Sequence, residues 1–346
     1  MARRVVVTGS SGMLGSNLAG YLRGEGYDVT GLDLRPPRGP DHQWQHRTCD
    51  VRDTALITEL VAGADAIVHC AAALPSYPAE QIRDIIAGGT RSVLEAGYRA
   101  GAERVVHISS TAVYGLPDLV PTPEEHPRLP VDTYSRAKAE AEEVAEEFRA
   151  RGMCIPILRP KTFLGPGRMG LFAMLFEWAE EGRNFPVLGR GDVRIQMLAI
   201  EDLVAAVGRV LAAPQNVAGD TYNVAAAEFG TLREDFQAVL DAAGHGRRVV
   251  SLPARPALAG LKLLERMRLS PVYGRLLHKL LADSHVSIGK ARERLGFAPR
   301  LSNREAILRT YGWWRESRTG LPRQRGGRTS GDAWHQGALT LAKAFF

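Results

Sequence analysis

The stretch from Val5 to Leu22, VVVTGSSGMLGSNLAGYL, limits what this chain can fold into more than any other part of it. Three valines run into Thr8 and then into three glycines, Gly9, Gly12 and Gly15. The run before the glycines reads as a buried strand, and Leu14, Leu18 and Leu22 recur after them at helical spacing. A strand, a glycine turn and a helix, in that order, turn an ordinary glycine-rich bend into a candidate phosphate site. The helix N-terminus offers free N–H groups and the positive end of its dipole to an anion. In such a turn Gly9 permits the tight bend, Gly12 lets a pyrophosphate approach, and Gly15 lets the helix pack close on the strand.

The following residues, YDVTGLDLR, read as a second strand ending in Asp33, about 20 residues beyond the glycines. An acid at that point binds the hydroxyls of an adenosine ribose and repels the extra phosphate of NADP. NAD is therefore the expected cofactor, with NADP the alternative, because Arg35 and Arg38 lie just beyond.

A chain of 346 residues can bury a substantial core and make one large domain or two. With 45% apolar and 24% charged residues it belongs to the globular class. Three cysteines, Cys49, Cys70 and Cys154, show neither a pairing pattern nor metal-ligand spacing. That suggests a reducing, cytoplasmic setting and no metal. The opening MARRVVV is too short for a signal peptide, and no apolar run is long enough to span a membrane. The net charge of +6 comes from scattered arginines with acids among them. It points to solubility rather than to nucleic-acid binding, which uses a clustered basic face.

Strands and helices then alternate. ADAIVHCAAA is an apolar strand ending at Ala71, Ala72 and Ala73, where a cofactor can lie against the backbone. GGTRSVLEAGYRAG reads as a helix, ERVVHISSTAVYG as a strand with a polar end, and CIPILRP as another strand. DTYSRAKAEAEEVAEEFRARG is a helix capped by Asp132 or Thr133. The rhythm predicts a Rossmann-type, doubly wound parallel sheet of the α/β class, with ligand at the carboxyl ends of the strands.

Tyr134 and Lys138 are four apart and share one helix face. An ammonium beside a phenol stabilises the phenolate and brings its pKa toward working pH. Ser110, at the polar end of the preceding strand, is placed to hydrogen-bond a substrate oxygen. The three read as positioner (Ser110), general acid or base (Tyr134) and tuner (Lys138). Lys138 also reaches the nicotinamide ribose.

With these pieces in view the chain resembles the extended short-chain dehydrogenase/reductases, in their NAD-dependent epimerase/dehydratase branch. The likeness runs from about Arg3 to Trp314 through TGSSGMLG, CDVRD, HCAAA, SSTAVYG, YSRAK, LRPKTFLGPG, AIEDLVAAV, TYNVA and ARERLGFAPR. It implies a cofactor site of Gly9, Ser11, Gly12, Met13, Leu14, Gly15, Asp33, Asp50, Val51, Ala71, Ala72, Ala73, Ser109, Tyr134, Lys138 and Pro160. Asp50 and Val51 take the adenine-contact position. The substrate would meet Ser110, Thr111, Thr162 and Arg194.

The likeness also implies a division of the chain. Residues 1–160, with strand returning near 195–225, would bind the dinucleotide. Residues 161–194 and 226–318 would form a smaller, mostly helical substrate-binding region, and 319–346 a flexible tail. A homodimer is expected.

Departures from the family pattern bear on the substrate. Dehydratases of the family carry an Asp-Glu pair where this chain has Thr111 and Ala112, so loss of water is not expected. Thr162 replaces a frequent asparagine, and Ile86 another. Arg194 stands one residue early for a diphosphate contact and faces the cleft only if a bulge corrects the register. Arg168 and Arg292 stand behind it as candidates, and Leu277 takes the place of a later arginine. The stretches ALAGLKLLERMRL and LLHKLLADSHVSIG resemble the substrate cap of the 3β-hydroxysteroid dehydrogenase-like branch. They also suit weak contact with a membrane surface. The expected activity is hydride transfer at a ring secondary alcohol of a sugar or sugar nucleotide. The alternatives are an alcohol dehydrogenase or ketoreductase for hydrophobic substrates, and a protein that binds NAD without catalysis.

Overall fold

The computed structural model describes residues 2–37, 42–167, 170–256, 259, 281–317 and 343. In chain order the described strands are β1 (Arg4–Thr8), β2 (Asp28–Asp33), β3 (Gln45–Thr48), β4 (Ala66–His69), β5 (Arg104–Ile108), β6 (Ile157–Pro160), β7 (Phe163–Leu164), β8 (Phe185–Leu188), β9 (Leu198–Ala199), β10 (Thr221–Val224) and β11 (Val249–Leu252). The helices used below are α1 (Met13–Gly24), α2 (Thr54–Leu60), α3 (Ala79–Arg83), α4 (Gly89–Arg99), α5 (Thr133–Ala150), α6 (Gly170–Glu180), α7 (Ile200–Ala212), α8 (Gln215–Ala218), α9 (Leu232–Ala243), α10 (Gly289–Leu295) and α11 (Asn303–Ser317).

Seven strands form the central sheet in the order 10-6-5-4-1-2-3, every pair parallel. Its inner strands β4, β5 and β6 are buried from end to end because helices cover both faces. Alternation along β1 shows this. Val5 and Val7 join the leucines of α1 and α7 on one face. Val6 joins Ile57 of α2, Val93 of α4 and Phe148 of α5 on the other. Chain order reverses between β1 and β4, which opens a crevice at their carboxyl ends, where an open α/β sheet takes its ligand.

A second core lies beyond the sheet. Phe176 and Trp178 of α6, Phe185 of β8, Phe236 of α9 and Tyr311 and Trp314 of α11 pack together there. Among its described residues this region is partly helical, and β7 pairs with β9 and β8 with β11 in two small parallel sheets.

Other local readings are refined. The helix expected from Gly88 is led in by α3 and a π-helical turn, Asp84–Gly88. β3 reads QHRT, a polar and largely exposed edge strand with no apolar alternation to announce it. Asp132, not Thr133, caps α5. Its carboxylate accepts the Ser135 N–H at 2.7 Å while Ser135 Oγ accepts the Asp132 N–H at 3.0 Å. That capping box fixes the turn that carries Tyr134. Arg38, Arg168, Leu277, the ALAGLKLLERMRL stretch apart from residue 259, residues 276–280 and the tail 319–346 apart from Lys343 lie outside the described residues.

Candidate active site

The crevice begins at the glycine turn. Gly9 has φ +70° and gives its N–H to the Leu32 carbonyl at 2.7 Å. A Cβ on Gly9 would lie 2.7 Å from Ala71 N, so both the bend and the approach of β4 require glycine. A Cβ on Gly15 would lie 2.1 Å from the Gly9 carbonyl oxygen. Gly15 thus lets α1 close on the turn itself, a tighter contact than the helix-on-strand packing expected of it. Gly12 is the N-cap of α1 and brings no capping side chain, and a Cβ there would meet only the Gly9 oxygen, at 3.2 Å. The first N–H groups of α1 are therefore left to an outside anion. Met13 and Leu14, implied in the same site, are buried beneath it.

Asp33 ends β2 against this turn. Its carboxylate accepts the N–H of Ser11 at 3.0 Å and of Arg35 at 3.1 Å, and Ser11 Oγ donates to the Arg35 carbonyl at 2.6 Å. Asp50 is gripped by the Arg52 guanidinium at 3.0 Å, which holds its carboxyl below the usual range. Val51 is buried, and a Cβ on Gly89 would come within 2.8 Å of its Cγ2.

A hydrogen-bonded chain that sequence reasoning missed ties β1, β4 and α4 together under the alanines. Thr90 gives its hydroxyl to the Ile86 carbonyl at 2.6 Å, so its oxygen accepts from His69 Nε2 at 3.1 Å. His69 Nδ1 then accepts from Thr8 Oγ1 at 2.8 Å, and Thr8 Oγ1 accepts the Ala71 N–H at 3.3 Å. Burial pushes the His69 pKa down to about 3, so the ring stays neutral and its tautomer fixed. Of the three alanines, Ala72 is exposed and Ala73 buried in the cluster against which Tyr134 packs.

Lys138 is buried in α5, and its Nζ donates to the Ile108 carbonyl, at the end of β5, at 2.7 Å. Desolvation lowers its pKa to about 8, opposed by Cys70 and Glu142. Tyr134 lies one turn before it, half-buried. Ser110, two residues past β5, caps a 3-10 turn, Thr111–Tyr114, by accepting the Ala112 N–H at 3.1 Å, and so keeps its O–H to give. Thr111 sends its hydroxyl to the Pro160 carbonyl at 3.4 Å. The sheet edge thus brings together Ser110, Thr111, Pro160 and the Tyr134–Lys138 helix.

The buried side chain of Ser109 donates to Glu142 at 2.5 Å. Glu142 is fully buried and takes Arg159 Nε at 2.9 Å and Nη2 at 2.6 Å. Arg159 Nη1 donates to Tyr114 Oη at 2.8 Å, which in turn donates to Asn223 at 2.8 Å. This network clamps α5, β5, β6 and β10 to one another behind the edge. A glutamate among the alanines of AKAEAEE and an arginine inside an apolar strand were its signals in the sequence.

On the substrate side Thr162 is exposed and contributes its carbonyl to Leu198 N–H at 3.0 Å. No continuous strand precedes β9. Ile195 makes an isolated bridge with Ser284, and Arg194 is exposed, its guanidinium 4.8 Å over the Phe229 ring. Arg292 is corrected as a candidate. It is exposed on α10, whose Lys290 binds Asp220 at 2.8 Å, at the amino end of β10 and away from the edge.

The glycine cradle, the uncapped α1 and Asp33 together fit a dinucleotide. Residues 5–225 match the NAD dependent epimerase/dehydratase family. An uncharacterised protein, y4nG of Sinorhizobium fredii, is 34% identical over 95% of this chain and 83% of its own length. A 3 beta-hydroxysteroid dehydrogenase/Delta 5-->4-isomerase of Mycobacterium tuberculosis is 30% identical over 88% of both chains. Among solved structures, a dTDP-glucose 4,6-dehydratase of Streptomyces venezuelae with NAD and TYD bound superposes with a TM-score of 0.73. It is 26% identical over 91% of this chain and 98% of that one.

Proposed function

Since the chain belongs to the NAD dependent epimerase/dehydratase family, we propose that it acts by hydride transfer at a ring secondary alcohol of a sugar or sugar nucleotide. The observation that carries this is the buried ammonium of Lys138, held at the end of β5 one helical turn from Tyr134. In the proposed roles, Ser110 gives its hydroxyl hydrogen to the substrate oxygen and so fixes the ring. Tyr134 Oη, as phenolate, takes the hydroxyl proton, and the Lys138 ammonium stabilises the phenolate. NAD, when bound, accepts hydride from the same carbon. If the ketone turns in the pocket and is reduced from its other face, the outcome is epimerisation. If it leaves, the outcome is oxidation. Water loss is not part of the proposal, because Thr111 and Ala112 offer no carboxyl group for it. Gly9, Ser11, Gly12, Asp33, Val51 and the backbone of Ala71–Ala73 are proposed to hold the cofactor.

A hydrophobic ring alcohol is the second reading. It is favoured by the 30% identity to the mycobacterial hydroxysteroid enzyme and by an Arg194 stacked on Phe229 rather than held in a diphosphate cradle. We place the enzyme in the cytoplasm as a homodimer. The location is supported by three free cysteines. None of the described helices is long and apolar enough to cross a membrane.

Release of cofactor from the purified, denatured protein tests the proposal. An epimerase carries tightly bound NAD and needs none added. A dehydrogenase exchanges its cofactor and forms net NADH from a ring alcohol. NAD binding with no NADH formed and no epimer formed from any sugar nucleotide or sterol would leave a binding protein and sink both enzymatic readings.

A further inference from the structure

Tyr134, Lys138 and Glu142 recur every four residues along α5 and so line one face of that helix. Lys138 and Glu142 are both buried, at 4% and 0% exposure. The proposed chemistry uses the first two residues, and leaves Glu142 only its part in the clamp behind the edge. A clamp needs no charge. Apolar side chains of similar volume join buried elements as well or better, because a buried ion pair first costs the desolvation of both groups.

The surroundings of Glu142 favour a negative charge. Its Oε1 accepts the Ser109 O–H at 2.5 Å and Arg159 Nε at 2.9 Å. Its Oε2 accepts Arg159 Nη2 at 2.6 Å and Arg128 Nη1 at 3.3 Å. Four donors therefore converge on one buried carboxylate.

The surroundings of Lys138 call for such a charge. Its Nζ donates to the Ile108 carbonyl at 2.7 Å, and among the described residues it forms no ion pair of its own. Burial drives it toward the uncharged amine, which cannot stabilise a phenolate. Besides Tyr134, the titratable groups that act on it or feel its charge are His69 and Cys70 at the end of β4, His107 in β5, and Glu142 one turn along its own helix. Burial pushes the Cys70 thiol up to about 12 and holds His69 and His107 well below the ordinary imidazole value, so these three are uncharged near neutral pH. Glu142 is the anion that remains to favour the ammonium. With its charge removed, Arg159 and Arg128 would be left to repel it.

We propose that Glu142 is a positioning residue for the proton transfer: its carboxylate keeps the Lys138 nitrogen an ammonium and so keeps Tyr134 able to hold a negative charge. The proposal rests on the hydride-transfer reading above and adds a residue to it. Glu142 lies behind the edge and acts through Lys138.

Carbon-13 NMR of protein labelled at the lysine ε-carbons tests it, with the Lys138 resonance identified by its loss in Lys138→Met. In the unaltered protein that resonance should titrate near pH 8. Glu142→Gln keeps the size of the side chain and removes its charge. Losing an anion disfavours the ammonium, so the midpoint should fall by about one pH unit or more. The alkaline limb of the rate of NADH formation, where the ammonium is lost, should move to lower pH with it. Glu142→Asp should hold both near their unaltered values. Glu140→Gln removes a carboxylate that binds Arg83 at 2.8 Å on the outer side of the same helix, and should move neither. A Lys138 midpoint unmoved in Glu142→Gln, or moved as far by Glu140→Gln, would overturn the proposal whatever happens to stability. A midpoint that moves while the rate limb stays would overturn it too. Should Glu142→Gln fail to fold, Glu142→Gln with Arg159→Met replaces the buried pair by neutral groups. A lower Lys138 midpoint in that protein supports the proposal, and an unmoved one overturns it. If the midpoint moves and the unaltered protein forms no NADH from any ring alcohol, the hold of Glu142 on Lys138 stands and the hydride-transfer reading falls instead.

Discussion

The cofactor side and the substrate side of the same sheet edge are built by opposite means. Around Gly9 the hydrogen bonds engage backbone N–H groups within a single strand–helix–strand unit. Gly9 meets Leu32, Ser11 meets Asp33, and the capping end of α1 is glycine. Around Lys161 the contacts join side chains and strands from four distant stretches, near residues 161, 194, 229 and 284. The first arrangement is set by local steric requirements and the second by how the chain returns to itself. A pyrophosphate is the same in every dinucleotide enzyme, so its cradle is a fixed pattern. A substrate differs from enzyme to enzyme, and its contacts sit on loops that a stable scaffold holds.

If this contrast is right, the scaffold side should be unforgiving. The largest effect is expected at Glu142. Glu142→Ala leaves Arg159 buried without its carboxylate and should cost about 3–5 kcal/mol in chemical denaturation. A loss below about 1 kcal/mol would mean that the network is not what clamps α5 to β5 and β6.

The next effect is in acid. His69 is neutral in the folded protein down to about pH 3, whereas in the unfolded chain it protonates near its ordinary 6.5. The unfolded state therefore binds the extra proton, and stability is lost as pH falls from 6.5 toward 3. The slope is about 1.4 kcal/mol per pH unit for this group. His69→Gln should flatten the curve in that window. An unchanged curve would show that His69 is solvated or charged in the fold.

Cofactor choice comes third. Asp33 should favour NAD over NADP by about tenfold, and Asp33→Ala should narrow the ratio. Equal affinities in the unaltered protein would give control of the site to Arg35. The smallest effect belongs to the substrate side. Arg194→Ala removes an exposed cation–ring contact and should change stability by no more than about 1 kcal/mol. A larger loss would mean that the substrate side is as rigidly built as the cofactor side and would undo the contrast.

What was legible in the sequence follows the same division. Gly9, Gly12, Gly15 and Asp33 could be read because their roles depend on spacing and on the absence of a side chain, both visible in one line of letters. Tyr134 and Lys138 could be read because helical spacing puts them on one face. β3 could not, since an exposed polar edge strand carries no alternation. Ser109 was given a cofactor role, and only its pairing with Glu142, 33 residues away, shows where its side chain goes. Arg194 was judged on the parity of a regular strand, but its neighbour Ile195 pairs with Ser284 through a single bridge, which no local pattern announces. Lys161 sat inside a motif already accounted for, and its partner Ser284 is 123 residues away.

The central claim is that Tyr134, tuned by the buried Lys138, moves the proton while hydride passes to NAD. Mixing NAD-loaded protein with excess ring-alcohol substrate and following the near-ultraviolet band of bound NADH within one turnover tests it most directly. The band should appear in the unaltered protein. In Tyr134→Phe it should form at least about a hundredfold more slowly, with NAD affinity unchanged. A Tyr134→Phe protein that forms the band at the normal rate would contradict the claim and place the proton transfer elsewhere.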